Sequence, residues 1–125
     1  MKLSGPGAAA EAELKRTLPA EVFREKEPRY LEEPHNRFKG HAGLVLAPST
    51  VDEVSTIIRF ASENRVPVIP YGGGTGLVGG QITADYTDPI VLSLSRFHTL
   101  RAVYPSEIVI FAVAGAILAA VQSAA

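Results

Sequence analysis

Residues 72–80 read Gly-Gly-Gly-Thr-Gly-Leu-Val-Gly-Gly, and this segment, the glycine run, constrains the fold more than any other. A run with so few side chains cannot build a hydrophobic core, and Cβ atoms do not screen its backbone N–H groups. Successive N–H groups that point into one concavity bind anions such as phosphate or pyrophosphate. The run follows Val66 to Pro70, which is typical of a short buried strand. Because glycine loops at strand ends hold nucleotide-type cofactors in α/β proteins, we expect the functional centre here.

The residues before the glycine run predict a strand–helix–strand unit. Leu44 to Leu46 predicts a short strand, and Thr50 with Glu53 fits a capping box that begins a helix. Apolar residues recur in this helix at i, i+3, i+4 and i+7, and we expect them in the core: Val54, Ile57, Ile58 and Ala61. A strand at 66–69 follows. The two strands of such a unit are expected to be parallel, with a right-handed connection.

The second half of the chain predicts two more strands and a helix. A polar turn at 85–89 leads to a strand at 90–94, and a buried strand at 108–113 leads to a helix from about Ile117. Together these elements predict an α+β fold with an α/β-like start. The apolar run 108–121 is shorter than the ~20 residues that span a bilayer, so we do not expect a membrane anchor.

The N-terminal quarter predicts less regular structure. Residues 1–10 are rich in glycine, alanine and proline, which predicts a flexible leader. Residues 8–23 predict a helix, which presents three apolar residues on one face: Leu14, Leu18 and Val22. The charged and proline-punctuated segment 24–39 predicts an irregular surface segment. We therefore expect a leader and helix at 1–29 and one partial domain at 30–125.

Composition excludes several classes of function. The net charge is −1 and there is no basic tract, so we expect no nucleic-acid partner. Cysteine is absent, which excludes disulfides, thiol nucleophiles and cysteine-ligated metals. That absence fits a reducing compartment, and we expect a cytoplasmic protein. His35, His41 and His98 show no metal-ligand spacing, and we interpret them as surface or packing residues.

Two common nucleotide motifs do not fit the glycine run. A P-loop needs Lys followed by Ser or Thr after its last glycine, whereas Gln81 and Ile82 follow here. The segment 74–79 matches G-x-G-x-x-G, but a Rossmann fingerprint also needs a helix at that point and an acidic residue after the next strand. Residues 93–96, at the end of that strand, carry no carboxylate. Two interpretations of the glycine run remain. One is a loop that wraps a pyrophosphate without a helix. The other is a structural turn, but its glycines would lose much conformational entropy on ordering without a ligand.

Several spaced motifs occur in an order that is itself informative. They are Tyr30-Leu31-Glu32-Glu33-Pro34, residues 38–46, Pro48-Ser49-Thr50 with Glu53-Val54, residues 66–70, residues 72–81, residues 91–96 and residues 114–125. In this order they resemble the start of the FAD-binding domain of the PCMH or vanillyl-alcohol oxidase type. Within that family the chain is most similar to the D-lactate, glycolate and D-2-hydroxyglutarate dehydrogenase group. The resemblance covers nearly everything from Tyr30 onward, and it implies the first lobe of such a domain, incomplete at the C-terminus.

The resemblance implies that main-chain N–H groups of the glycine run hold the FAD diphosphate. Thr75 would add a hydroxyl donor, Pro70 would set the entry of the loop, and Gln81 would lie at the rim. Leu77 and the last two glycines would line the flavin side. The implied cofactor-binding residues are Pro70, Tyr71, Gly72, Gly73, Gly74, Thr75, Gly76, Leu77, Gly79, Gly80 and Gln81.

This sequence departs from the family pattern at two of these positions. Tyr71 stands where relatives commonly have Arg or Gln, and Gly74 stands where the 2-hydroxyglutarate branch often has Asn. The loss of a long polar side chain at 71 is expected to weaken phosphate or flavin contacts. We also expect valine at Gly73 or Gly76 to block the diphosphate and to forbid a positive φ.

The implied reaction is hydride transfer from the Cα of a D-2-hydroxy acid to flavin N5, which yields a 2-oxo acid. In the family, the catalytic histidine, the substrate arginine and any metal ligands lie in later parts, so no catalytic residue and no metal site is assigned here. We expect the chain to be inactive alone and to need a partner, either the C-terminal half of the parent enzyme or a complementary subunit. The alternatives are a remnant or interaction module that keeps the fold without the cofactor, and a small membrane-tethered protein.

Overall fold

A computed structural model describes residues 3–82 and 88–125. The helices are α1 (Ala8–Thr17), α2 (Val51–Asn64) and α3 (Leu118–Ala124). The strands are β1 (Phe23–Arg24), β2 (Leu44–Leu46), β3 (Val68–Tyr71), β4 (Ile90–Ser93), β5 (Leu100–Tyr104) and β6 (Val109–Ala112). Short 3₁₀ turns lie at Ala20–Val22, Pro28–Tyr30 and Pro105–Glu107. The polar turn predicted at 85–89 falls for the most part outside the described residues.

The main sheet has the strand order β1-β2-β4-β3. β4 lies between β2 and β3 and is parallel to both, whereas β1 is antiparallel to β2. The prediction that the strands flanking α2 are parallel is therefore confirmed. The register places Tyr71, the last residue of β3, opposite Ser93, the last residue of β4. The chain segments that follow both strands consequently leave the sheet at the same edge.

Both faces of the sheet are covered, because successive strand residues point to opposite sides. One face carries Leu44, Leu46, Ile90 and Leu92, which pack with buried residues of the two helical segments: Leu14, Leu18, Val22, Ile57, Phe60 and Ala61. The other face carries Val45 and Val91, which pack with Tyr30, Ala42 and Tyr71. The N-terminal helix and the segment that contains Tyr30 thus pack on opposite faces of the same strands.

Helix α2 begins where its capping residues predict. The Thr50 hydroxyl accepts the Glu53 N–H, and the Glu53 carboxylate accepts the N–H groups of Ser49 at 2.6 Å and Thr50 at 3.3 Å. The hydrogen bond from Ser49 is the largest of the effects that lower the pKa of Glu53. The predicted core face is correct for Ile57 and Ala61, but Ile58 is 46% exposed and Phe60 is buried in its place.

The N-terminal helix is shorter than the sequence predicts, and the residues before it make contacts with the rest of the domain. Helix α1 ends at Thr17, because Pro19 follows and cannot continue it. The expected apolar face, Leu14, Leu18 and Val22, is buried as predicted. The predicted flexible leader is wrong from Ser4 onward: Ser4 N–H donates to the Arg65 carbonyl at 3.2 Å, and the next two residues lie against Gly43 and Asp88.

The predictions of a surface segment at 24–39 and of a buried strand at 108–113 are both wrong in part. The segment 24–39 contains buried residues, Tyr30 and Glu33, because it lies across one face of the sheet. The strand predicted at 108–113 forms β6, and α3 begins close to Ile117, but β6 is largely exposed, with Phe111 57% accessible. β6 pairs with β5, which the sequence analysis missed, in a separate antiparallel hairpin. No helix within the described ranges is long and apolar enough to cross a membrane.

We expect Thr50→Ala to lower the free energy of unfolding by about 1 kcal/mol, because it removes the hydroxyl that accepts the Glu53 N–H. Urea unfolding measures the change. The matched control is Thr56→Ala, since the Thr56 hydroxyl only bonds the Asp52 carbonyl on the exposed face of the same helix. Equal losses in both variants would contradict the assigned role of the cap.

Candidate functional site

A cleft of about 1300 Å³ opens where β3 and β4 end. Ligands of open parallel sheets bind outside the carboxyl ends of the strands, so this is the expected position for a site. Four stretches line it: residues 71–75, a set from Arg29 to Asn36, the polar residues Ser93, Ser95 and His98, and residues 115–118. The glycine run predicted to be the functional centre therefore forms one wall of the largest cavity described.

The structure brings only the first part of the predicted site into this wall. Tyr71, Gly72, Gly73, Gly74 and Thr75 line the cleft. Pro70 is an exposed residue of β3 just before it. The later predicted residues lie further along the loop, outside the lining of the cleft: Gly76, Leu77, Gly79, Gly80 and Gln81. The Leu77 side chain is 50% exposed.

The backbone N–H groups of this loop are available to a ligand. Within residues 3–82 and 88–125, none of the N–H groups of residues 72–81 donates a hydrogen bond to the protein. No helix begins in 72–82, in agreement with the rejection of a Rossmann fingerprint. A Cβ built at Gly72 or Gly73 would have no atom within 4 Å, so the space beside the backbone is open. Unpaired donors beside open space suit an anionic group.

Positive φ angles occur at two glycines of the run, Gly74 at 72° and Gly79 at 75°. The expectation that a positive φ makes Gly73 and Gly76 intolerant of valine is therefore wrong. At Gly73 the argument that remains is the open space beside the backbone, which a larger side chain would fill.

Tyr71 forms the floor beneath Gly74. Its hydroxyl donates to the Arg29 carbonyl at 2.7 Å, and its ring packs edge-to-face on Tyr30 at 4.9 Å. A Cβ at Gly74 would overlap the Tyr71 hydroxyl. Burial raises the pKa of Tyr71 above its ordinary value, so the phenol stays protonated and keeps its donor. The two positions at which the sequence departs from the family pattern are thus in direct contact, and Tyr71 excludes a side chain at 74.

Three side-chain contacts and one backbone hydrogen bond, from the Ile82 N–H to the Gly79 carbonyl at 3.0 Å, hold the rest of the loop. Gln81 Nε2 donates to the Gly74 carbonyl at 2.9 Å, and Arg37 Nη2 donates to the Leu77 carbonyl at 2.6 Å. The Phe38 ring lies against Gly79, where an added Cβ would be 3.4 Å from it. The sequence analysis missed the contacts of Arg37 and Phe38 with the loop, because no local pattern links these two residues to a loop about 40 positions further along the chain.

Glu33 is a buried carboxylate beside the cleft. It accepts Arg37 Nη2 at 2.8 Å and Nε at 3.1 Å, and it also accepts the N–H groups of His35 and Arg37 at 3.1 Å. Burial would raise the pKa of Glu33, but the hydrogen bonds from Arg37 and the charge of its guanidinium outweigh burial and hold that pKa below 4.5. The carboxylate therefore stays ionised and fully hydrogen-bonded.

Polar residues after β4 were also missed as site residues. Ser93 is buried and its hydroxyl lies 3.1 Å from that of Ser95, while His98, interpreted as a surface or packing residue, lines the same cleft. The usable signal was a polar stretch directly after an apolar strand, which is where parallel sheets place ligand contacts. No group of three or more His, Asp or Glu suited to a metal ion occurs in the part of the chain that the structure describes.

Comparison with known proteins gives consistent matches. The profile of a family described as an FAD binding domain matches residues 42–125. The mitochondrial D-2-hydroxyglutarate dehydrogenase of Bos taurus is 32% identical over 115 residues, which cover 89% of this chain and 20% of that protein. The D-lactate dehydrogenase of Archaeoglobus fulgidus is 43% identical over 58 residues, which cover 46% of this chain and 13% of that protein.

A solved structure shows the same fold at lower identity. The xylooligosaccharide oxidase of Myceliophthora thermophila C1 superposes with a TM-score of 0.71 at 20% identity, over 94% of this chain and 25% of that chain. The expected α+β fold class is confirmed. The chain spans a fifth or less of the length of these two dehydrogenases.

We expect Gly74→Ala to lower the free energy of unfolding by about 1–3 kcal/mol, because it combines a strained φ with an overlap on Tyr71. Gly72→Ala is the matched control, since its Cβ would meet nothing within 4 Å, and we expect a change within about 0.5 kcal/mol. Urea unfolding compares the two. Equal stability of both variants would show that the floor under Gly74 is not rigid.

We expect Glu33→Gln to lower the free energy of unfolding at neutral pH and to make that free energy fall less when the pH is lowered. Since the pKa of Glu33 is depressed in the folded state, its contribution is full above about 4.5 and is lost as the pH falls through the folded value. Urea unfolding at about pH 7 and about pH 4 measures both effects. Glu32→Gln is the control, because Glu32 forms only an exposed ion pair with Lys39 at 3.4 Å. A pH profile unchanged by Glu33→Gln would contradict the assignment.

Proposed function

The chain belongs to the FAD-binding domain family, and we propose that it binds the FAD diphosphate through its glycine run, as part of a flavin-dependent oxidoreductase that oxidises a D-2-hydroxy acid. The resemblance to the D-lactate and D-2-hydroxyglutarate dehydrogenase group is confirmed by the matches, and FAD is the cofactor they indicate. The observation that carries the proposal is a row of N–H groups that have no hydrogen-bond acceptor among the described residues and lie beside the open cleft at the strand ends.

The residues at the strand ends suit a diphosphate. Gly72 and Gly73 leave the approach to the backbone open, and Thr75 adds a hydroxyl to the lining of the cleft. We propose all eleven residues named from the sequence as the cofactor-binding set, with Tyr71 acting through the shape of the loop. Ser93 and Ser95 are further polar groups that line the same cleft. Dipoles that are fixed before binding stabilise an anion without having to reorient.

The chemistry divides between cofactor and protein. Bound FAD would supply the hydride acceptor for the oxidation of the hydroxy acid. The described residues hold the diphosphate and so set where the reactive ring projects. We assign them no proton transfer and no substrate contact, and we propose that those groups lie in polypeptide outside this chain. On this proposal the chain alone is inactive, and its partner is the remaining half of the parent enzyme or a complementary subunit.

A second candidate, an interaction module that keeps the fold without the cofactor, rests on one observation. The hairpin and α3 expose large apolar side chains, among them Ile108 at 94% and Ile117 at 70% exposure. Such a surface suits contact with further polypeptide. The same surface serves the first candidate equally well, so cofactor content decides between them. The division at residue 30 and the cytoplasmic location stay predictions; the bovine relative is named as mitochondrial.

We expect Gly73→Val to weaken FAD binding at least about tenfold, or about 1.4 kcal/mol, because the valine fills the open space beside the backbone. The flavin absorption bands of the purified protein, and titration with FAD, measure it. Gly7→Val is the matched control: Gly7 also has nothing within 4 Å, and its φ of −72° and ψ of 165° suit valine.

Two results would contradict this proposal in different ways. A chain that takes up no FAD, even when the remaining half of the parent is supplied, would favour the interaction module. Equal flavin content in Gly73→Val and Gly7→Val would leave FAD binding intact but would reject the glycine run as the place where it occurs.

A further inference from the structure

One interaction reaches the glycine run from a distant part of the chain. Arg37 Nη2 donates to the Leu77 carbonyl at 2.6 Å, across 40 positions of sequence. The same nitrogen donates to Glu33 Oε1 at 2.8 Å, and Arg37 Nε donates to the same oxygen at 3.1 Å. A single guanidinium therefore joins a buried carboxylate to the backbone of the loop.

Glu33 is built to hold that guanidinium in one place. Its side chain is fully inaccessible, whereas the Arg37 side chain is 53% exposed. Its second oxygen accepts the backbone N–H groups of His35 and Arg37, both at 3.1 Å. Because every bond to the carboxylate comes from residues 35–37, the position of Arg37 follows from the local chain path. A planar guanidinium with several fixed donors can then bind a further acceptor at little additional entropic cost.

The loop needs such an external support. The N–H groups of residues 72–81 donate no hydrogen bond to any described residue, so the loop lacks the regular backbone hydrogen bonds of a strand or helix. Within the described residues, the Ile82 N–H bonds the Gly79 carbonyl at 3.0 Å. The side-chain contacts to the loop are Gln81 on the Gly74 carbonyl, the Phe38 ring on Gly79, and Arg37 on the Leu77 carbonyl. Arg37 and Phe38 both belong to the segment before β2. A loop whose shape is set before binding pays less of the ordering cost when the ligand arrives.

We propose that Arg37, oriented by Glu33, is a positioning residue for the glycine run: it holds the Leu77 carbonyl and keeps the loop in the form that receives an anion. This inference rests on the proposed function for its ligand, the FAD diphosphate, but its structural part concerns the loop alone. Arg37 acts through the carbonyl of Leu77 and touches no ligand. Its charge is secondary, because the fork geometry allows the simultaneous contacts with Glu33 and Leu77.

NMR relaxation of the backbone amides, on the full chain without FAD, tests the structural part, because order parameters report the rigidity of N–H groups that form no hydrogen bond. We expect Arg37→Met to lower the order parameters of residues 72–81 while those of β2 and β4 stay unchanged. Arg37→Lys separates geometry from charge, because a single ammonium on a shorter side chain cannot replace the fork; we expect it to behave like Arg37→Met. Lys39→Met is the matched control, since Lys39 lies in the same segment and, among the described residues, its side chain pairs with Glu32 alone.

FAD titration of the same variants tests the functional part. We expect the dissociation constant for FAD to rise about tenfold in both Arg37 variants and by less in Glu33→Gln. Each variant also lowers the thermal unfolding midpoint, because it breaks the ion pair of an inaccessible carboxylate, so the titrations are made well below the midpoint of every variant. Loop order parameters at the wild-type level in Arg37→Met would overturn the inference. Wild-type affinity in Arg37→Lys would also overturn it, because charge alone would then suffice.

The two proposals fail in distinguishable ways. If the wild-type protein binds no FAD, even with the remaining half of the parent enzyme supplied, the proposed function fails while the relaxation experiment still decides the role of Arg37. If the wild type binds FAD and the Arg37 variants bind it equally well, the proposed function stands and the positioning role fails. A uniform fall in order parameters over the whole chain with unchanged FAD affinity identifies a merely structural ion pair and overturns the inference.

Discussion

The parallel pairing of β4 between β2 and β3 is the constraint from which the site follows. In this register Tyr71 and Ser93 end side by side, so the glycine run and the polar stretch after β4 leave the sheet at one edge. The side chains of β4 are all buried, which fixes the register, because a slip of one residue would turn Ile90 and Leu92 to the wrong face. The cleft exists because two chain exits coincide there, and the loop sequences then determine its chemistry.

Residues 30–38, which precede β2, hold a loop whose glycine-rich sequence is flexible by itself. Glycines make the backbone accessible, but they also raise the entropic cost of a single conformation. That cost is offset by contacts from outside the run: Tyr30 and Tyr71 below it, Phe38 beside it, and the pair of Glu33 and Arg37 at Leu77. A charged stretch that sequence patterning assigns to the surface thus supports the loop that continues from the cleft.

The accuracy of the sequence predictions follows the range of the interactions involved. Local patterns gave α2 and its capping box, the three parallel strands within about two residues, and the absence of a helix in the glycine run, because each depends on neighbours a few positions apart. The errors lie where burial depends on how distant segments pack. Ile58 and Phe111 are apolar yet exposed, since no described element covers them. Glu33 is charged yet buried: its hydrogen bonds come from residues 35 and 37, but its burial arises because this segment lies across one face of the sheet.

By itself the sequence predicted a backbone that an anion can approach, because glycines without Cβ atoms at 72–74 and 76 leave the N–H groups unscreened, and its spaced motifs identified the FAD-binding family. Only the tertiary structure decided which of those residues line the cleft, which glycines need a positive φ, and why position 74 cannot carry a side chain. The physical reason is that these properties depend on contacts between residues tens of positions apart, such as Tyr71 with Arg29 and Arg37 with Leu77, and no local pattern encodes them.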